Sequence, residues 1–394
     1  MKPIVLTSLL VLFVCTNLSA GDPDRIDPRN QIFLYNQGFV LESLSGYGVS
    51  SSTRLPIFNI STGNPATLSA LNTFAVGFSS QFDSKVESFP IDDASFQRIN
   101  NLVPQSVGLV YPYQDFRVGA GFSQKYSAEI LFNEIEMTTV NDPQGTGEIF
   151  SPTSKNVIHT ASALASYQIL NLLSPTDQLS VGFQFNLNFL DADESISRTT
   201  VKLNANQANW KFGFSYSGIG SIERTETFRL GLYFETAVKI SGNVEFEGPG
   251  LLTSDPDSSM LGNNERITAN LESYPRDAEI PPRIVFGFLV SLSSKFALFG
   301  DLGYTWWSNL GEPYQNKLDF SNSLLFKVSE HIGFSIGLAF LQGFVGESDA
   351  VYLSAGMIGH LNKFELHLAL ADSHLSSAEY RRQTIGKLGF GFRL

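Results

Sequence analysis

The 394-residue chain carries a net charge of −12, only 16% charged residues, a single cysteine, and 33 each of Phe and Gly. An acidic chain lacks the basic face that phosphate backbones require, so a nucleic-acid partner is excluded. One cysteine excludes a disulfide framework, and past the N-terminus no segment stays apolar for the ~20 residues of a membrane helix.

The N-terminus reads as a secretory signal. Met1-Lys2 is a minimal basic start, Ile4 to Val14 is an apolar run, and Leu18-Ser19-Ala20 ends on a small residue. The run is too short to span a bilayer, so residues 1–20 are expected to be removed as a signal peptide. Cys15 follows Val14 rather than a small residue, which argues against a lipoprotein signal. Cleavage before Gly21 leaves no cysteine for metal binding or nucleophilic attack.

Residues 21–71 are too long for a free tail and too polar for a membrane strand. They contain Leu44-Ser45-Gly46-Tyr47-Gly48 and, later, Asn64-Pro65-Ala66-Thr67-Leu68. Pro65 fixes its own φ and keeps Asn64 out of helical geometry, so the chain direction there is set locally. A segment of this kind is expected to fold into a lumen as a plug.

From residue 72 onward the chain alternates. In Val181-Gly182-Phe183-Gln184-Phe185-Asn186-Leu187-Asn188-Phe189 every odd position is large and apolar and every even one is Gly, Gln or Asn. Strand side chains alternate between faces, so such a segment is greasy on one side and polar on the other. The same pattern runs through Phe228–Glu235, Gly333–Phe340, Phe364–Ala371 and Leu388–Leu394. Strands are expected near 72–82, 104–113, 115–124, 157–170, 179–190, 207–217, 224–240, 282–293, 295–308, 317–328, 330–341, 351–360, 362–371 and 383–394. Their lengths suit membrane strands of ~9–11 residues better than soluble strands of ~5–6. Short connections follow the even-numbered strands. Longer ones follow the odd: 83–103, 125–156, 191–206, 241–281, 309–316, 342–350 and 372–382. Short turns on one side and long loops on the other characterise outer-membrane barrels. The reading is an all-β, fourteen-stranded antiparallel transmembrane barrel over residues 72–394, with both termini in the periplasm. Tyr304, Trp306, Trp307 and Tyr352 read either as interfacial girdle aromatics or as ordinary membrane-facing ones.

Constellations for chemistry are sparse. His360, His367 and His374 recur at an odd interval, which on one strand puts neighbours on opposite faces. Asp255, Asp257 and Ser259 alternate as calcium ligands do, but Pro256 and the missing glycine break the loop pattern. There is no G-x-S-x-G elbow or H-E-x-x-H pair, and Ser162, Ser166 and His159 do not form a recognisable triad. No catalytic residue, metal or cofactor is expected.

Three stretches carry a family resemblance. Gly46-x-Gly48 followed by Asn64-Pro65-Ala66 resembles the N-terminal hatch of the FadL/TodX transporters of hydrophobic compounds. Pro281-Pro282-Arg283 leading to Asp301-x-x-x-Thr305-x-Trp307-Ser308 is similar to an adjacent strand pair of that family, as is Phe228–Gly242. Loops 125–156 and 241–281 match nothing in it. The resemblance implies a monomeric, passive outer-membrane channel for long-chain fatty acids or other hydrophobic small molecules. The implied partners are that ligand, outer-membrane lipid and, during biogenesis, the barrel-assembly machinery. It implies a plug closing the periplasmic side, an apolar lumen pocket, and sideways exit near the third strand, where Gly119 and Gly121 are candidates for a kink. The other readings are a PorV-like secretion-accessory barrel, a general porin, and a membrane-embedded lipid hydrolase.

Overall fold

The computed structural model describes residues 34, 39–40, 50–53, 57–87, 97–131, 135–136, 149–150, 153–172, 174–196, 199–219, 226–243, 245–247, 275–311, 314–344, 349–374 and 383–394. The expected signal segment, Gly46, Gly48 and the acidic stretch around Asp255 lie outside them.

Fourteen strands form the wall: β1 Ala75–Glu87, β2 Gln97–Tyr113, β3 Phe116–Leu131, β4 Thr153–Leu170, β5 Asp177–Ile196, β6 Thr199–Ile219 and β7 Glu226–Glu235. Then come β8 Arg283–Ser291, β9 Phe296–Thr305, β10 Lys317–Lys327, β11 Ile332–Leu341, β12 Ala350–Leu361, β13 Phe364–Asp372 and β14 Gln383–Arg393. Each pairs antiparallel with its sequence neighbours. β1 closes on β14, from Ala75↔Arg393 to Lys85↔Gln383. Closure removes every sheet edge, as strands in lipid must, because no water is there to satisfy a free backbone group.

Alternation sorts the two faces as the sequence implies. On β5, Gly182, Gln184, Asn186 and Asn188 are buried in the lumen, while Phe183 and Phe189 are exposed. On β13, Glu365, His367, Ala369 and Ala371 point inward and Leu366, Leu368 and Leu370 outward. Exposed large apolar side chains recur on the outer face, from Phe78 and Leu109 to Phe334 and Phe390. Such a band is the lipid-facing surface of a transmembrane barrel. No helix among the described residues is long and apolar enough to cross a membrane.

The short connections join even-numbered strands to the next, at 114–115, 171–176, 220–225, 292–295, 328–331 and 362–363. Gln114, Asn171 and Asn362 have φ of 54°, 57° and 51°. Asparagine tolerates that left-handed region better than most residues.

The structure corrects three readings. First, the expected loop 191–206 is mostly strand, with β5 and β6 paired out to Ile196↔Thr199. β4, β5 and β6 run 18, 20 and 21 residues and extend beyond the bilayer, where no lipid enforces the greasy alternation. Second, the expected strand 224–240 breaks after Glu235. Thr236 turns back on Trp210, donating its N–H to the Trp210 carbonyl at 2.9 Å. Val238–Asn243 then pairs with Pro275–Ile280 as a separate ribbon. Third, Trp307 and Tyr352 are buried in the interior and are not girdle residues.

Candidate functional site

Residues 50–53 and 57–71, ahead of β1, lie in the lumen. Two short 3-10 turns, Ile57–Asn59 and Pro65–Ala70, are buried almost throughout. A lumenal segment with so little regular structure leaves carbonyls unpaired, and buried carbonyls need donors. The wall supplies them from separate strands. Ser106 on β2 donates to Phe58 O, Gln184 on β5 to Ser61 O at 2.8 Å, and Lys211 on β6 to Thr62 O at 2.9 Å. Ser166 on β4 reaches Ala66 O at 3.2 Å and Arg229 on β7 reaches Thr53 O at 3.0 Å.

Asn64 is the hub of this plug. Its φ of −68° and ψ of 115° are the extended geometry that Pro65 demands, and its side chain caps the turn by accepting from Ala66 N at 3.0 Å. Its Nδ2 donates to Ser52 O within the plug at 2.7 Å and to Phe214 O of the wall at 2.8 Å. One amide therefore ties the turn to itself, to residues 50–53, and to β6. The wall comes close enough because it carries glycine there. A Cβ on Gly182 would lie 2.2 Å from Ala66 N, and one on Gly213 2.0 Å from Asn64 Oδ1.

Asp301 on β9 makes the second tie. Its carboxylate accepts from Ser50 Oγ at 2.7 Å, from Ser51 N at 2.8 Å and from Ser52 Oγ. Charge-assisted bonds of this kind are the stronger class. Asp301→Ala is expected to loosen residues 50–53, so limited proteolysis should cut this segment several-fold faster while the barrel still resists. Equal cleavage rates would show that the carboxylate holds nothing.

A buried charge cluster lies between the plug and the β3 wall. β3 carries an irregularity between Gln124 and Tyr126, where its register with β4 shifts. From this bulge Lys125 pairs with Glu235 on β7, while Lys211 lies 3.7 Å from the same carboxylate. Asn209 Nδ2 adds a bond at 3.1 Å. Gly119 and Gly121 sit in unbroken register on the same strand. At Gly121 a Cβ would meet Ser61 Cβ at 2.7 Å, so that glycine admits the plug.

Beside the cluster, toward the long loops, is a pocket with an aromatic side and a charged one. Phe39, Ile280, Val285, Trp307 and Leu341 line a cavity of about 100 Å³, with Lys125 and Glu235 on one side. Trp307 lies flat on Phe344, centroids 3.8 Å apart and planes 6° apart, with Phe39 edge-on at 5.8 Å. Thr305 lines this pocket as well, whereas Ser308 is exposed and bonds to Asn316 Oδ1 at 2.8 Å. Arg283 and Lys317, also lining it, both approach Asp319, at 3.6 and 3.2 Å.

The remaining candidates do not assemble into a reacting set. Ser162 bonds to Asn186 and Ser166 to the plug, both in the lumen, whereas His159 stacks on the outward Phe122. His360 and His367 do share the lumen, because the turn between β12 and β13 resets the parity. Both approach Glu365, at 3.6 and 2.8 Å. Among the described residues no cluster is suited to a metal ion.

No family model and no curated protein matches the chain. Solved structures do. The toluene transporter TbuX of Ralstonia pickettii superposes with a TM-score of 0.60 at 11% identity, covering 89% of this chain and 97% of that one. A FadL homologue of Pseudomonas aeruginosa gives 0.60 at 12%, covering 90% and 99%. The toluene transporter TodX of Pseudomonas putida gives 0.58 at 15%, covering 90% and 98%. At such identities the likeness is one of fold: this chain is a fourteen-stranded barrel with the fold of the FadL-type hydrocarbon transporters.

Proposed function

We propose that this chain is a passive outer-membrane transporter of hydrophobic small molecules, with the short turns and both termini in the periplasm. The observation that carries this reading is a pocket walled in part by Phe39 and Trp307, in a barrel whose lumen holds a segment tied down by side chains of several wall strands. A water-filled porin has no use for either. Small molecules bind in clefts that combine apolar and aromatic walls with placed polar groups.

The pocket favours a compact, uncharged ligand over a long-chain acid. Its volume of about 100 Å³ lies below the ~150 Å³ that accommodates one benzene, so even a single ring must displace side chains. A long alkyl chain demands far more. The lumenal cations also face protein carboxylates already, Lys125 and Lys211 toward Glu235, Arg283 and Lys317 toward Asp319. Long-chain fatty acids are the second reading, favoured by the number of these cations. The β3 bulge at Lys125, flanked by the charge cluster, is our candidate for sideways exit.

Uptake decides among these. Cells producing the chain should accumulate labelled toluene faster than cells lacking it, and faster relative to control than labelled oleate. No gain with either ligand, together with a secreted protein that co-purifies, would favour the secretion-accessory reading. Topology gives a separate check. Tags inserted in 241–281 should be labelled on intact cells, and tags at 171–176 should not. Surface labelling at 171–176 would invert the orientation.

A further inference from the structure

Away from the plug, part of the lumen wall is apolar, where a barrel interior is ordinarily polar. On β8 to β12, toward the short turns, Leu289, Ala297, Phe299, Leu325 and Ile358 form one buried cluster. Register sets them side by side: Leu289 opposite Phe299, and Ala297 opposite Leu325. Parity sends them inward, since Phe299 shares its face with Asp301 and Leu325 with Ser323.

This wall opens into a cavity of about 530 Å³ at the short-turn end. Leu325, Gly333 and Ile358 form its inner side, and turns 292–295 and 328–331 its mouth. The volume lies within the ~300–1,000 Å³ typical of small-molecule sites. No described plug residue lines it. The mouth carries Lys295, Lys327 and Glu330, with His360 from β12. Lys327 N donates to Lys295 O at 2.8 Å, so the two lysines sit on adjacent backbone. Among the described residues that line it, two ammonium groups against one carboxylate make this mouth cationic in a chain whose net charge is −12.

We propose that the short-turn mouth is a second binding site, for an amphipathic anion: an alkyl or acyl body with one anionic head. The body lies on Leu325 and Ile358, and the head sits between Lys295 and Lys327. A neutral hydrocarbon gains nothing from the lysines, and an amphipathic cation is repelled by them. Free fatty acids and anionic phospholipids share this chemistry. The site stands apart from the Trp307 pocket and does not depend on the transport reading.

The test titrates the purified full chain, in dodecyl maltoside, with dansylaminoundecanoic acid. Lys295→Glu/Lys327→Glu and Ile358→Trp should each weaken dye binding by roughly tenfold, the worth of about 1.4 kcal/mol. Added salt should mimic the lysine variant in the wild type and have little further effect on that variant, because exposed charges are screened. Both lysines are exposed, so the double variant should keep heat-modifiable gel migration. Trp307→Ala, in the upper pocket, should leave this binding intact. Competition separates the sources: displacement by phosphatidylglycerol alone assigns a membrane lipid, and displacement by oleate alone a free acid. If Trp307→Ala removes all dye binding, or if the lysine and Ile358 variants both bind like wild type, the mouth is not a site. Toluene uptake is read separately, so a failed transport reading leaves this result standing.

Discussion

Gly182→Ala is expected to convert a closed barrel into a conducting one. The added methyl would lie 2.2 Å from Ala66 N and 2.3 Å from Pro65 C, both backbone atoms of the plug turn. Neither can rotate away, and β5 cannot retreat, because it is paired along its whole length with β4 and β6. The plug has to move. Asn64 moves with it, so Phe214 O on the wall loses its donor and Ala66 O loses Ser166. Each buried group left unpaired costs about 1–3 kcal/mol. Strand pairing supplies the barrel's own closure, so heat-modifiable gel migration should persist. In planar bilayers the wild type should be nearly silent, and Gly182→Ala should show frequent ion-conducting openings. Deleting 21–60 should give the same conductance, held open. Asn64→Ala, which removes the amide without adding bulk, should fall between them and should slow uptake of a hydrophobic probe. A Gly182→Ala channel as silent as wild type would show that the turn is not what closes the lumen.

The wall was readable from sequence because lipid enforces it. An outward residue must be apolar and its neighbour need not be, and that constraint marks all fourteen strands in order. Where the strands leave the bilayer the constraint ends. Asp191, Asp193 and Glu194 therefore read as loop, although they continue β5 in register with Asn204, Lys202 and Val201. The break after Glu235 was hidden for the opposite reason: Val238 and Ile240 keep the alternation going while they pair with a different partner. Tyr352 was within reach, since Leu353 and Ala355 fix the outward parity of β12 and leave Tyr352 facing in.

The plug was legible only in part. Asn64-Pro65-Ala66 announces a turn by its own chemistry, and the structure places that turn in the lumen. What the turn docks on was not legible, because Gly182 and Gly213 look like any other small lumenal residues until register puts them beside it. Lys125, Lys211 and Glu235 are further still from sequence reach. They lie on β3, β6 and β7, and the bulge that aims Lys125 has no glycine or proline to announce it. A charged residue on the polar face of a barrel strand is ordinary, so the sequence offers no signal that these three meet.

Glu235→Ala is accordingly expected to destabilise the whole barrel. Glu235 is 7% exposed, and its carboxylate pairs with Lys125, lies near Lys211 and accepts from Asn209. Its loss strands the buried ammonium group of Lys211 and the half-buried one of Lys125. Breaking a buried pair by removing one partner typically costs about 3–5 kcal/mol. The damage should also spread through the lumen. Asn209 takes part in a ladder, accepting from Asn188 at 2.9 Å while Thr160 donates to Asn188 at 2.8 Å. Lys211 should keep its 2.9 Å bond to Thr62 O, so the plug remains tied on that side. Urea unfolding in detergent, followed by tryptophan fluorescence, should therefore show a clearly lower midpoint for Glu235→Ala. Glu235→Gln should fall in between, since it keeps an acceptor but not the charge. The decisive comparison adds Lys125→Met and Lys211→Met to Glu235→Ala. Replacing a buried ionic cluster by apolar groups is often neutral or stabilising, so the triple variant should recover most of the lost midpoint. A triple variant as unstable as the single one would mean that Glu235 acts through packing or through Asn209, and that the three charges are not a unit.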